Sequence, residues 1–185
     1  AKKYGVELLV CSSLNRNSGT MVREKTKMEK MLISGVAADK NVAKIRVAGL
    51  GNDPESTFRL LNLLDRNNLN IDVMIQSLGK DGTKSVSFTI AKPDMLRTID
   101  VLNDNKDSLG IKKLDYDENV AKISVIGAGV RSHSGVAAKM FGALANAGIN
   151  TEMITTSEIR ITALIDEAYA DQAMRAIHET FLERV

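Results

Sequence analysis

One nine-residue stretch occurs twice in this chain: Asn41-Val42-Ala43-Lys44-Ile45-Arg46-Val47-Ala48-Gly49 and Asn119-Val120-Ala121-Lys122-Ile123-Ser124-Val125-Ile126-Gly127. The two versions differ only at Arg46/Ser124 and Ala48/Ile126. Farther along, 69–77 matches 149–157 more weakly, and a two-residue insertion accounts for the change in spacing. Two copies with so long a period indicate duplicated domains rather than a solenoid.

The first copy has the periodicity of a small α+β unit. Alternating polar and apolar residues predict strands at 43–48, 70–77, 84–90 and 111–116, with an Asp-Gly hairpin turn at 81–82. A helix is expected after the first strand, with Asn52 or Asp53 as N-cap and Pro54 in the first turn. Pro93 opens a second helix. The expected apolar faces of the two helices are Phe58, Leu61 and Leu64, then Leu96, Ile99 and Leu102.

The second copy repeats this order but has no fourth strand of its own. It has strands at 121–127, 150–156 and 159–165, a helix ended by Gly148, and a last helix at 167–182. The inward residues expected on the two helices are Val136, Met140 and Leu144, then Ala170, Ala173, Ile177 and Phe181.

An open sheet edge in the second copy would be a liability, and 31–38 is the spare strand-like segment nearby. We predict that this segment crosses over to complete the second sheet. The fold class is therefore α+β, with two ferredoxin-like βαββαβ units, the first (41–117) inserted into the second (28–40 plus 118–185).

Composition disfavours several classes of partner. The net charge is +2 and no basic block stands out, so nucleic acid is not an expected partner. No apolar run of about 18 residues and no signal-peptide pattern occur, so no membrane association is expected. Cys11 is the single cysteine, which excludes an intrachain disulfide and indicates a reduced, cytoplasmic compartment. It follows the apolar run 6–10, which predicts a buried structural thiol.

No catalytic or metal constellation is apparent. His133 and His178 fall on different elements, without a Cys, His or Asp cluster around them. Gly127–Ser132 lies between a strand and a helix, but Ser132 replaces the third glycine of a dinucleotide fingerprint and the unit lacks repeating βαβ crossovers. We expect no catalytic residue, metal or cofactor in this chain.

The strand-to-helix turns at 49–55 and 127–135 are the remaining candidate sites. Backbone N–H groups at a helix N-terminus bind carboxylates well. Asp72 or Glu152, with Asn70 or Asn150, are placed to take an α-amino group, which together makes an amino-acid-sized site. The residues alone equally allow simple turns with solvated carboxylates.

Three motifs resemble a known family: 31–41, 127–136 and 156–160 are similar to the tandem ACT domains at the C-terminus of aspartate kinase. The resemblance covers about residues 28–182, and 4–20 resembles the end of that family's kinase domain, so 1–27 is expected to be its tail and linker. It implies a parent enzyme that uses ATP, with Mg, to phosphorylate the β-carboxylate of aspartate. The nucleotide- and aspartate-binding residues of that enzyme lie upstream of this segment.

The resemblance also implies a feedback sensor for lysine, threonine or both, working on the kinase catalytic domain or subunit. Effectors would bind where ACT domains of a homodimer pack together. Carried over by position, the site residues are Asn52, Glu55, Thr57, Asp72 and Gln76, closed by Asn150 and Thr151, and in the second copy Val130, Ser132, Val136, Ala137, Ser157 and Glu158.

This chain departs from the family at several of these positions. The family often has Asp and Gly at 52 and 55, Pro at 134 and Arg at 11. A carboxylate at Glu55 would repel the carboxylate of an effector, which predicts an altered or lost first site. The alternative is a structural dimerisation module without a live effector site.

Overall fold

Six antiparallel strands form one sheet in the computed structural model, which describes residues 6, 8–11, 20–22, 33–132 and 135–182. The strands are β3 (Gly35–Leu50), β4 (Met74–Leu78), β5 (Lys84–Ala91), β6 (Lys113–Ile126), β7 (Met153–Thr156) and β8 (Arg160–Asp166). Their order across the sheet is β4-β5-β3-β6-β8-β7. A separate hairpin pairs β1 (Leu8–Val10) with β2 (Thr20–Val22).

The helices follow the strands in the predicted order. They are α1 (Pro54–Arg66), α2 (Met95–Asp104), α3 (Lys106–Leu109), α4 (Gly129–Ser132), α5 (Val136–Asn146) and α6 (Ala170–Leu182). The residues expected to start and end the helices do so. Asp53 caps α1 and Pro54 is its first residue, while Gly148 takes a left-handed conformation (φ 71°) just after α5.

Two strands are longer than predicted because each joins two expected strands. Gly35–Asp39 at the start of β3 pairs with Lys122–Ile126 of β6, while Val42–Leu50 pairs with β5. In β6, the expected last strand of the first copy runs directly into the first strand of the second. The pairing of β3 with β6 has register shifts between Asp39 and Lys44, where the two expected strands join, since a bulge interrupts the pairing without ending the strand.

Two hydrophobic cores lie between the helices and one face of the sheet. The first is centred on Ile45 and Phe88, the second on Ile123 and Ile165, all fully buried. Ile33, just before β3, is buried in the second core. Strand side chains alternate between faces, and a third, smaller cluster of Val42, Val120, Met153, Leu164 and Val73 occupies the opposite face. We call that opposite side the open face.

Several expectations of burial were wrong. Phe58 and Leu96 are 64% and 69% exposed. Leu64, Ile99 and Leu102 are buried as predicted, and Leu61 is half-buried. The helices also bury residues that were not predicted, namely Ser56 and Leu60 on α1 and Met95 and Thr98 on α2. On α1 the buried stripe follows steps of four residues, whereas the predicted one followed steps of three. Cys11 is exposed, as are the apolar residues of β1 beside it.

Other expectations are confirmed, and the two edge strands are shorter than predicted. Val136, Met140 and Leu144 on α5, with Ala170, Ala173 and Ile177 on α6, are buried in the second core, and Phe181 packs against it. The strand expected at 70–77 begins only at Met74, and the one expected at 150–156 begins only at Met153.

Candidate functional site

The turn between β3 and α1 is shaped by a glycine. Gly49 has φ +89° at a register shift in the pairing of β3 with β5, and a Cβ there would collide with the side chain of Lys112. A left-handed conformation of this kind suits glycine and strains other residues. The chain then reaches Asp53 at the start of α1.

Asp53 already uses the backbone donors of this turn. Its carboxylate accepts hydrogen bonds from the N–H groups of Glu55 and Ser56, both at 2.9 Å, and from the Ser56 hydroxyl. The Ser56 hydroxyl bond, with the two backbone bonds, holds the pKa of Asp53 below its ordinary value. Lys84 Nζ donates to the Asp53 carbonyl oxygen at 2.7 Å. An effector carboxylate would therefore meet a turn whose first donors are taken and which carries a negative charge.

Two of the predicted site residues meet beside this turn. Thr57 Oγ1 on α1 donates to Gln76 Oε1 on β4 at 2.6 Å. Asn52 lies in the turn and Glu55 in the first turn of α1, and both are exposed. β4 lies at the edge of the sheet, and all five of its residues are exposed, with apolar side chains at Met74, Ile75 and Leu78. Such an edge is a template for pairing with another strand.

The two carboxylates predicted to hold an α-amino group bind lysines of the chain itself. Lys122 Nζ contacts Asp72 and also Asp39, the latter at 3.0 Å. Lys44 Nζ contacts Glu152. Lys44 and Lys122 occupy the same position in the repeated stretch. These two lysines were not among the predicted site residues, although their identity in both copies was a signal that pointed to them.

The charged forms of this cluster stabilise one another. Burial disfavours the Lys122 ammonium, but its hydrogen bonds to Asp72 and Asp39 outweigh burial and raise the pKa of Lys122 above its ordinary value. Burial likewise raises the pKa of Asp39, yet the hydrogen bonds from Lys122 and from the Asn41 N–H bring it below its ordinary value.

The predicted residues of the second site are divided between two places. Val136 is buried and Val130 and Ala137 are partly buried against the second core, at the start of α4 and α5. Ser157 and Glu158 lie in the β7–β8 turn, which is closed by the Ser157 N–H donating to the Arg160 carbonyl at 2.7 Å. Asn150 and Thr151, which were predicted to close the first site, lie before β7, the former exposed and the latter half-buried. His133, Ser134 and the side chain of Ser132 lie outside the described residues.

A groove of about 530 Å³ runs over the second copy on the open face. Its floor is one row of small side chains in register across four strands: Ala37, Ser124, Thr162 and Thr155. Asp39, Asp72 and Lys122 line it near the junction of the copies, and Ile126 and Arg160 line it farther along the strands. Of the predicted site residues, Asp72 and Ser157 line it.

Metal and membrane features are not apparent in the part of the chain that the structure describes. No group of three or more His, Cys, Asp or Glu residues there is arranged to hold a metal ion. No helix within those ranges has the length and apolar character needed to cross a membrane.

Comparison with known proteins identifies the family. A family model described as ACT domain matches residues 123–181. The aspartokinase of Helicobacter pylori is 40% identical over 187 aligned residues, which cover 98% of this chain and 45% of that protein. A crystal structure of aspartokinase alpha and beta subunits is 42% identical, with a TM-score of 0.76, and the match covers 80% of this chain and 98% of that one. The chain belongs to the aspartokinase family.

Further structures place it within that family as the regulatory ACT region. The ligand-free regulatory subunit of aspartate kinase from Thermus thermophilus is 32% identical with a TM-score of 0.76, and the match covers 81% of this chain and 99% of that one. Aspartokinase III of E. coli, in complex with lysine and aspartate, shares the fold at 22% identity and a TM-score of 0.72, with 98% of this chain and 40% of that one covered. This ACT region spans less than half the length of the curated relatives it matches.

Proposed function

We propose that this ACT region senses lysine, threonine or both at sites between ACT units of two chains. Through them it feeds back on a parent kinase that uses ATP, with Mg, to phosphorylate aspartate. The aspartokinase III structure in complex with lysine supports this class of effector. Catalysis itself is assigned to the part of the parent enzyme that this chain does not include.

We further propose that the region consists of two ferredoxin-like units. The first is 41–117 and the second is 28–40 plus 118–185, with 1–27 as the tail of the kinase domain and linker. Antiparallel pairing of Gly35–Asp39 with Lys122–Ile126 supports this division, as does Ile33 in the second core. The first unit is then an insertion between a strand and the rest of the second.

The uncovered edge at β4 is the observation that carries the proposal. Its exposed apolar residues flank Gln76, which accepts the hydrogen bond from Thr57 of α1, and Asn52 and Glu55 come just before Thr57 in the chain. A strand from a second chain would pair with the unpaired backbone N–H and C=O groups of β4 and cover Thr57 and Gln76. Asn150 and Thr151 of the partner chain are the residues proposed to complete this closure.

The charge of the turn suggests how an effector lies in the first site. The N–H groups of Glu55 and Ser56 donate hydrogen bonds to the Asp53 carboxylate, and Glu55 adds a second carboxylate nearby in the chain. We expect an effector to present an ammonium group to this turn and its carboxylate elsewhere. A diamino acid such as lysine meets that requirement with two ammonium groups, and threonine with one.

Calorimetry with lysine and threonine tests the proposal. Gln76→Ala removes one hydrogen-bonding side chain from the site and should weaken effector binding about tenfold, the effect of losing one net hydrogen bond. Gln172→Ala is the matched control, since Gln172 lies on α6 and donates to the Ala147 carbonyl. Equal affinity in wild type and Gln76→Ala would contradict this site assignment.

The alternative function is a dimerisation module without an effector, which the exposed edge at β4 also supports. A thermal-shift screen over the twenty amino acids separates the two, because a ligand that binds only the native state raises its apparent stability. A dimer in sedimentation experiments with no response to any amino acid would favour the alternative.

A further inference from the structure

Two ion pairs cross between the copies in a reciprocal pattern. Lys44, on β3 in the first copy, contacts Glu152 of the second, and Lys122, on β6 in the second copy, contacts Asp72 of the first. The two lysines are equivalent in the repeated stretch, and the two acids are equivalent in the weaker match. Each copy therefore supplies a lysine to the other copy's acid.

Both lysines are shielded where the copies meet. Their side chains are 24% and 15% exposed, although the acids are more open. The third hydrophobic cluster, which includes Val42, Val120 and Val73 from both copies, lies on the same open face. Partial burial makes such pairs less screened by salt than fully exposed ones.

Each acid lies just before an edge strand, Glu152 next to β7 and Asp72 separated from β4 by Val73, and is tied to the sheet through its backbone. The Asp72 N–H donates to the Thr89 carbonyl at 3.0 Å, and the Glu152 N–H donates to the Leu164 carbonyl at 2.8 Å. Asp72 leads into β4 and Glu152 into β7. A lysine that holds the acid consequently holds the start of the other copy's edge strand.

The two contacts are not equal. Lys122 binds Asp72 and Asp39, and the latter also accepts from the Asn41 N–H at 2.9 Å. Lys44 binds Glu152. We expect the Lys122 contact to be the stronger of the two.

We propose that the two pairs, Lys44–Glu152 and Lys122–Asp72, form a cross-copy latch. Each pair fixes the edge strand of one copy to the central strand of the other. Gln76 lies on β4, which Asp72 leads into, and Ser157 lies just after β7, which Glu152 leads into. The latch therefore also couples β4 and β7, the strands that carry residues of the two proposed effector sites. That coupling rests on the proposed function, whereas the latch itself does not.

Hydrogen–deuterium exchange of the whole chain, without effector, tests the latch. Lys122→Met should raise exchange at 72–78 in the first copy, and Lys44→Met should raise it at 152–156 in the second. We expect a two- to fivefold rise in each case, about the effect of one partly exposed ion pair. The rise in exchange is thus expected in the copy that does not carry the substitution. A lysine with only a local structural role would instead change exchange in its own copy.

Lys113→Met is the matched control. Lys113 is exposed and pairs with Asp115 on its own strand, so its loss should leave exchange at both edge strands unchanged. A rise confined to the mutated copy, or an equal rise throughout the chain, would overturn the latch.

Charge exchange sharpens the test. Lys122→Asp should raise exchange at 72–78 more than Lys122→Met, because it places a third carboxylate beside Asp39 and Asp72. The double variant Asp72→Lys/Lys122→Asp should return exchange at 72–78 towards the wild-type value. Exchange as fast in the double variant as in Lys122→Asp alone would contradict the pairing. If Lys122→Asp fails to fold, the methionine variants still decide the question.

The coupling is tested separately with lysine or threonine as the probe. If effector lowers exchange at both edge strands in wild type but at one only in Lys122→Met, the coupling is supported. Identical patterns in the two proteins would overturn it. If neither amino acid binds the wild type, the proposed function and the coupling fail, while the effector-free exchange still tests the latch.

Discussion

The two copies share the inward-facing residues of the repeated stretch, and the two differences in that stretch lie on the open face. In the second copy the row Ala37, Ser124, Thr162 and Thr155 leaves a groove. The corresponding row of the first copy is Asp115, Arg46, Ser87 and Ile75, in register across the same four strand positions. There the Arg46 guanidinium approaches the Asp115 carboxylate to 4.0 Å over the sheet.

This difference shows which positions the fold constrains. Ala43, Ile45 and Val47 recur unchanged as Ala121, Ile123 and Val125, and all six are fully buried. Arg46/Ser124, one of the two differences in the repeated stretch, points to the open face. Close packing penalises changes of volume in a core, whereas an open face tolerates them. The copies are therefore free to acquire different surfaces on one scaffold.

The largest effect is expected where the copies are alike. Ile45→Ala and Ile123→Ala should each lower the free energy of unfolding by about 2–5 kcal/mol, because each leaves a cavity in a closed core. Urea denaturation measures both. Since one sheet links the cores, a single transition is expected in each variant, and two separate transitions would show that the copies unfold independently.

A smaller effect is expected on the groove floor. The hydroxyls of Ser124 and Thr162 are buried and hydrogen-bonded at 2.8 Å. Ser124→Ala should destabilise the chain by about 1–3 kcal/mol, since the Thr162 hydroxyl then lacks that partner. The double variant Ser124→Ala/Thr162→Val should be less destabilised than the single one by thermal unfolding. Ser87 is half-buried and occupies the position of Thr162 in the first copy, so Ser87→Ala is the comparison and should cost less.

The smallest effect is expected from pH at the Lys122 contact. The pKa of Asp39 is lowered in the folded state, so its contribution is present above its ordinary value of 3.8 and is lost as pH falls through the folded value. The pKa of Lys122 is raised, so its contribution is present below its ordinary value of 10.5 and is lost as pH rises through the folded value.

The stability difference between wild type and Lys122→Met should therefore be steady near neutral pH and shrink towards both extremes. Its size should be within about 1 kcal/mol, as for other partly exposed ion pairs. Urea unfolding from pH 3 to 11 checks this, with Lys113→Met as the control for loss of one positive charge. A difference that grows below pH 3.8 would contradict the assignment.

Local features were predictable because they depend on neighbours in the chain. The order of strands and helices, the cap at Asp53, the stop at Gly148 and the inward faces of α5 and α6 follow from periodicity and capping within a few residues. The motifs that resemble the aspartokinase ACT region are likewise contiguous, and the comparisons confirm that family.

Contacts between distant segments were decided by the tertiary structure. Lys44 and Glu152 are 108 residues apart, and Lys122 and Asp72 are 50 apart, so no local pattern names one as the partner of the other. The same holds for the fused strands β3 and β6 and for the groove, which exists because four small side chains from four strands fall in one row. Periodicity specifies which side of a strand is apolar, but register between strands determines which side chains meet.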